Sequence, residues 1–197
     1  MQDKPIIILA GGFGTRLDSY LNGMPKPMVD INGNPFLELI LKNLIQNGFR
    51  NFIFSLHYKS EIIIEYLNIK RNDFLANCKI EYYVEKTPLG TGGAISYIIS
   101  RAIIEDDFFV LNADTWLKDK LIEMKNLEPN VIALVDIIDS DRYGKVEINS
   151  ENIITNFIEK GDDLGKGLIN AGFYKFNKNI FENWNKTKFS LESDFFP

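Results

Sequence analysis

Three glycines, two cations and one acid give this chain its candidate chemistry. The apolar run Ile6-Ile7-Ile8-Leu9-Ala10 opens into Gly11-Gly12-Phe13-Gly14-Thr15-Arg16. Without side chains at Gly11, Gly12 and Gly14 the backbone amides can lie against a polyphosphate, and turns of this kind require positive φ. Arg16 adds a planar, permanently charged fork suited to phosphate oxygens. Pro25-Lys26-Pro27 follows, and its two prolines predict a stiff, extended turn that fixes the lysine as a local positive charge. Asp114 closes the apolar run Phe108-Phe109-Val110-Leu111-Asn112-Ala113. An acid at a strand end is often merely solvated, but beside phosphate-binding loops it can hold a hard cation. The glycine spacing matches neither the dinucleotide fingerprint nor the P-loop, so both of those nucleotide folds are disfavoured.

These residues need a scaffold that brings them to one edge. A first strand from about Pro5 to Leu9 delivers the glycine loop. Asn34-Pro35 reads as an N-cap and first-turn pair, with Phe36, Leu37, Ile40, Leu41, Leu44 and Ile45 at helical spacing until Gly48. Phe52-Ile53-Phe54 predicts a second strand, and Ser60 the cap of a second helix. Ile80 to Val84 predicts a third strand, and Glu85 to Ala94 is a second glycine-rich loop before a helix reaching about Ile104. Strands alternating with helices predict a mostly parallel sheet with helices on both faces. From Leu117 the pattern changes. Val131 to Val135 gives a further strand, while Lys145-Val146 and Ile153 to Ile158 alternate as an antiparallel ribbon around a turn at Asn149-Ser150.

Composition sets the remaining bounds. With 197 residues and 45% hydrophobic content, one well-buried domain is expected. Twenty-two basic against 27 acidic residues give a net charge of -5, so neither nucleic acid nor an anionic membrane is expected as main partner. The single cysteine, Cys78, and single histidine, His57, allow neither an internal disulfide nor a Cys/His metal cluster, and both are expected to serve the fold. No signal segment or membrane span is read, which predicts a cytoplasmic location.

Leu9 to Leu17 together with Pro25-Lys26-Pro27 resembles the sugar-1-phosphate nucleotidyltransferases, which join a nucleoside triphosphate to a sugar 1-phosphate. The resemblance covers essentially the whole chain. It implies a single α/β domain over 1–197, Rossmann-like, with a mixed, mostly parallel central sheet flanked by helices plus a small antiparallel ribbon. Residues 1–116 would form mainly the nucleotide half and 117–197 mainly the sugar-phosphate half. It further implies nucleotide binding by Leu9, Ala10, Gly11, Gly12, Gly14, Thr15, Arg16, Glu85, Pro88, Gly90 and Thr91. Catalysis falls to Arg16, Lys26 and Asp114, with Mg2+ held by Asp114. Short motifs at Asn112, Tyr143-Gly144, Glu159-Lys160 and Asn170-Ala171-Gly172 correspond to the sugar-phosphate site. Family members ordinarily continue past the position of Pro197 to a further aspartate, in a short Asp-x-Gly type motif that completes the magnesium site, so either a truncated sequence or the lack of that second carboxylate is expected here.

The second glycine loop bears on the nucleobase. In the resembled family this loop faces the base, with a polar side chain at the Glu85 position. A carboxylate can accept from the N1 and N2 hydrogens of guanine but offers no donor to the carbonyls of uracil or thymine. GTP is therefore the expected donor. Motifs at Glu85 to Ala94, Asp141-Arg142-Tyr143-Gly144 and Leu168 to Gly172 most resemble the branch acting on D-glycero-D-manno-heptose 1-phosphate. A uridylyl or thymidylyl donor, a mannose or glucose 1-phosphate, and a non-catalytic nucleotide-binding subunit remain as alternatives.

Overall fold

The computed structural model describes residues 4–14, 21, 23–118, 121–140, 143–158, 161 and 165–196. Its centre is β1 (Ile6–Leu9), an all-apolar strand with β4 (Asn51–Leu56) on one side and β6 (Asp107–Asn112) on the other. Both neighbours run parallel to it, and β5 (Lys79–Val84) extends the parallel set beyond β4. Strands covered on both faces read as unbroken apolar runs, which is what Ile6-Ile7-Ile8 and Phe108-Phe109-Val110-Leu111 are.

The pleat divides these side chains between two cores. Ile6 and Ile8 join Phe52 and Phe54 beneath α1 (Phe36–Gln46) and α2 (Ser60–Lys70). Ile7, Ile53, Phe108 and Val110 face the other way, against Ile95 and Ile98 of α3 (Gly90–Ile99). A layer of helix is thus fastened to each face of the sheet.

Beyond β6 the sheet turns antiparallel. The long strand β10 (Gly167–Asn177) pairs with β6, with β7 (Val131–Ile137) and, through Leu168 opposite Val146, with β8 (Lys145–Ile148). The ribbon expected from the alternation is present as β8 and β9 (Ile154–Ile158), continuous with the main sheet, which makes eight strands in the order β5-β4-β1-β6-β10-β8-β9 with β7 on β10. The short helix α4 (Leu121–Lys125) lies in the link from β6 to β7.

Three helix ends differ from expectation. Asn34-Pro35 forms β3, paired with β2 (Asp30–Ile31), and Pro35 stands at the N-cap of α1 without a side-chain cap. Ser60 is the first helical residue of α2, and Lys59, in the left-handed region at φ 49°, occupies the N-cap. α3 ends at Ile99, before the expected Ile104: Ser100 takes the C-cap, and Ile103 is 83% exposed. Among the described residues no helix is long and apolar enough to cross a membrane.

Candidate active site

Register decides where the functional residues meet. Leu9 lies opposite both Ser55 and Asn112, so the carboxyl ends of β1, β4 and β6 finish level. The chain continues each strand in step: Ala10 N donates to Ser55 O, Ala113 N to Leu9 O, and Glu85 N to Leu56 O. Open α/β sheets bind ligands at this edge. A cavity of about 460 Å³ occupies it. Of the expected nucleotide residues, Leu9, Ala10, Gly11, Gly12, Gly14, Glu85, Pro88, Gly90 and Thr91 line it, together with Lys26, Asn112 and Asp114. Thr15 and Arg16 lie outside the described residues.

The first glycine loop is shaped more by its neighbours than by backbone freedom. Of its three glycines only Gly14 has positive φ, +68°, and a Cβ there would come within 3.0 Å of Leu21 and 3.3 Å of the Lys26 Cβ. Gly14 thereby lets the loop close onto the Pro-Lys-Pro segment. Gly12 faces open space, with nothing within 4 Å of a Cβ built on it. Pro25 is extended, with φ -66° and ψ 144°, but Lys26–Met28 makes a 3-10 turn where an extended turn was expected. That turn aims Lys26 Nζ at Asp114 Oδ2, 2.5 Å away, across 88 positions of sequence.

Glu85 is buried, with 6% of its surface exposed. Its Oε1 accepts from Ser55 Oγ at 2.7 Å and its Oε2 from Leu89 N at 3.0 Å. His57 Nδ1 donates to the Glu85 backbone oxygen at 2.8 Å, so the histidine braces this strand end, the structural role expected of it.

The expected sugar-phosphate residues divide. Asn112 lines the cavity, and its Oδ1 is buried with no hydrogen-bond partner. Gly172 sits in the bulge of β10 against it, where a Cβ would lie 2.7 Å from Asn112 Nδ2. Asn170 caps the same bulge, its Oδ1 accepting from Gly172 N at 2.9 Å. Tyr143 and Gly144 do not line the cavity: their amides donate to the oxygen of buried Ser140, and the Tyr143 ring is 67% exposed. A motif position in a loop carries no information about which way the loop turns. Glu159 and Lys160 lie outside the described residues, as do Asp141 and Arg142.

A family model described as nucleotidyl transferase matches residues 5–194. The chain belongs to that family. It is 41% identical over 188 residues to the D-glycero-alpha-D-manno-heptose 1-phosphate guanylyltransferase of Campylobacter jejuni subsp. jejuni, covering 94% of this chain and 82% of that protein. It is 36% identical over 177 residues to the bifunctional protein GlmU of Methanococcus maripaludis, covering 89% of this chain but 40% of the relative. The crystal structure of HddC from Yersinia pseudotuberculosis complexed with GMP-PN is similar with a TM-score of 0.81 at 39% identity, covering 98% of this chain and 85% of that one.

In this nucleotidyl transferase several cavity residues escaped the sequence reading. Ser55 carried a signal, as the one hydroxyl inside the apolar strand Asn51–Leu56, but its use depends on a register that composition does not reveal. Phe13, 45% exposed on the cavity wall with its ring edge-on to His57, stood in plain view as an aromatic among glycines. Asp114 is the one expected metal ligand, and no cluster of three or more metal-binding side chains exists among the described residues. A single carboxylate fits Mg2+ all the same, because that ion keeps water and takes phosphate oxygens for its other positions. The Lys26 ammonium against Asp114 marks this rim as a place for positive charge.

Proposed function

We propose that this nucleotidyl transferase moves a guanylyl group from GTP to a sugar 1-phosphate, with a D-glycero-D-manno-heptose 1-phosphate as acceptor, releasing pyrophosphate. The observation that carries the nucleobase is Glu85: a buried carboxylate on the cavity wall offers only acceptors, which suits the N1 and N2 hydrogens of guanine. The heptose 1-phosphate guanylyltransferase relative and the GMP-PN complex of HddC support the same donor, and the former supports the acceptor.

In the reaction a phosphate oxygen of the sugar 1-phosphate attacks the α-phosphorus in line. A new oxygen–phosphorus bond forms as the bond from the α-phosphorus to the bridging oxygen breaks, and pyrophosphate leaves with that electron pair. The attacking group is already an oxyanion, so no side chain need become covalently attached. The task left to the protein is positioning and charge stabilisation. The amides at Gly11, Gly12 and Gly14 cradle the phosphates, Lys26 meets charge gathering at the α-phosphate, and Arg16 is assigned to the leaving pyrophosphate on its type and spacing. Mg2+, held by Asp114, would supply neutralising charge to the triphosphate. Asn112, on the cavity wall, is assigned to the sugar side, with Asn170 and Gly172 shaping that side. Tyr143, Gly144, Glu159 and Lys160 are assigned to the sugar phosphate on their motifs. On this reading residues 1–116 are mainly the nucleotide half and 117–197 mainly the sugar-phosphate half, with Asn112 crossing the division.

Pyrophosphate release, screened over GTP, ATP, UTP and dTTP against heptose, mannose and glucose 1-phosphates, tests the reading. GTP with the heptose 1-phosphate is expected to be fastest. Faster release from UTP or dTTP removes the assignment of the base, and binding of GTP without release from any pair removes the transferase.

A further inference from the structure

One carboxylate outside the cavity gathers hydroxyls from three separate places in the chain. Glu192 lies in the π-helical turn Leu191–Phe195. Its Oε2 accepts from Thr91 Oγ1 at 2.8 Å and from Ser190 Oγ at 2.7 Å, and its Oε1 accepts from the Tyr174 hydroxyl at 3.2 Å. Each hydroxyl oxygen also accepts from the other side: Leu191 N donates to Thr91 Oγ1 and Asn170 Nδ2 to Tyr174 OH, both at 2.8 Å, and Glu192 N to Ser190 Oγ at 3.1 Å. All three hydroxyl hydrogens therefore run inward to Glu192, and an ionised carboxylate, an acceptor only, is the group that can terminate them. Burial first, and the Glu192 charge next, push the Tyr174 hydroxyl far above its ordinary pKa, which keeps it a donor.

The two arms of this network return to the cavity from different sides. Thr91 lines it at the start of α3. Tyr174 holds Asn170, Asn170 holds the Gly172 amide, and Gly172 abuts the cavity residue Asn112. We propose that Glu192 is a positioning residue that sets the nucleotide wall through Thr91 and the sugar-phosphate wall through Tyr174 and Asn170, so that both substrates depend on its charge. The inference rests on the reading above that the two substrates share this cavity.

The segment before the turn is fastened independently: Gly92 and Gly93 amides both donate to Phe189 O at 3.1 Å, Phe189 N donates to Leu89 O at 2.9 Å, and Phe189 and Leu191 are buried. Glu192→Gln keeps the shape and removes the charge, while Thr91→Val and Tyr174→Phe each cut one arm.

Steady-state kinetics on the full chain, with GTP and heptose 1-phosphate varied separately and thermal midpoints measured alongside, tests this. Glu192→Gln is expected to raise both KM values by about tenfold, the order lost with a hydrogen bond to a charged group, with the midpoint nearly unchanged. Thr91→Val is expected to raise the KM for GTP alone, and Tyr174→Phe that for the sugar phosphate alone. Unchanged KM values in Glu192→Gln, or a lowered midpoint with unchanged KM values, overturn the inference while leaving the transferase intact. If the wild type releases no pyrophosphate, the proposed function fails, and calorimetric titration with GTP decides the nucleotide arm. Weaker binding by Glu192→Gln then sustains it, and equal affinity or no binding by the wild type overturns it.

Discussion

Each Glu85 oxygen already accepts one hydrogen bond from the protein, Ser55 Oγ on Oε1 and Leu89 N on Oε2. What remains for the cavity is acceptor capacity on both oxygens, held in a fixed plane, which matches two adjacent N–H groups on one base edge. Glu85→Gln turns one of those acceptors into a donor. It is expected to raise the KM for GTP by about tenfold or more and to erase preference for GTP over ITP, which lacks the 2-amino group. Kinetics with both nucleotides checks this, and retained preference contradicts the base assignment. Glu85 was legible through the family resemblance, as the polar side chain five residues before Gly90 in a loop that faces the base. Ser55, which holds it, was not, because a serine in a strand acquires meaning only from the residues that register puts beside it. Lys26 and Asp114 were legible as separate charges, and the fold adds that they touch.

At the scale of elements, the strands were readable from apolar runs and the ribbon from alternation, since burial on two faces or on one leaves those patterns directly. The helix ends were less so. A cap residue is chosen by the path of the incoming chain: β2 and β3 claim Asn34-Pro35, and the left-handed Lys59 displaces Ser60. The second glycine loop is another element whose meaning the fold enlarges. Read as a nucleotide contact, it also receives the C-terminal segment: Gly90 has φ +76°, and a Cβ on it would lie 2.4 Å from Phe189 O. Gly90→Ala therefore meets both left-handed strain, about 1–2 kcal/mol, and a clash with backbone that cannot swing aside, about 1–3 kcal/mol. The gain in helix propensity, under about 1 kcal/mol, does not offset them. Denaturant titration is expected to show about 2–4 kcal/mol of lost stability, and an unchanged midpoint contradicts the docking of Phe189 on α3.

On the scale of the molecule, two buried carboxylates tie distant parts together. Glu38, paired with Lys42 inside α1, joins α1 to α2 through Lys70 and Tyr66, and Asp107 joins Lys4 to Asn177 and Lys175 on β10. Burial raises both pKa values, but hydrogen bonds from Lys42 and Tyr66 to Glu38, and from Lys4 and Asn177 to Asp107, outweigh it and hold them below their ordinary 4.5 and 3.8. A carboxyl depressed in the folded state binds its proton first in the unfolded chain. Its contribution is therefore complete above the ordinary value and is lost as pH falls through the folded one. Thermal midpoints are expected to stay level down to about pH 5 and to fall below about pH 4, with Glu38→Gln less stable at neutral pH and showing a shallower acid decline. An acid limb of equal slope in that variant contradicts the assignment. Neither tie was visible in sequence, where Glu38 is one acid among helix residues and Asp107 one of a pair at a strand start.

All three scales converge on the rim where β1, β4 and β6 end, and on whether charge there drives phosphoryl transfer. The direct measurement is single-turnover pyrophosphate release from GTP and heptose 1-phosphate by the wild type beside Lys26→Met. Lys26 is partly exposed and its loss leaves the cores untouched. Removing one charge aimed at a developing transition state typically slows a reaction about a hundredfold or more, and that slowing is predicted with the thermal midpoint retained. Release by Lys26→Met at the wild-type rate would contradict the account.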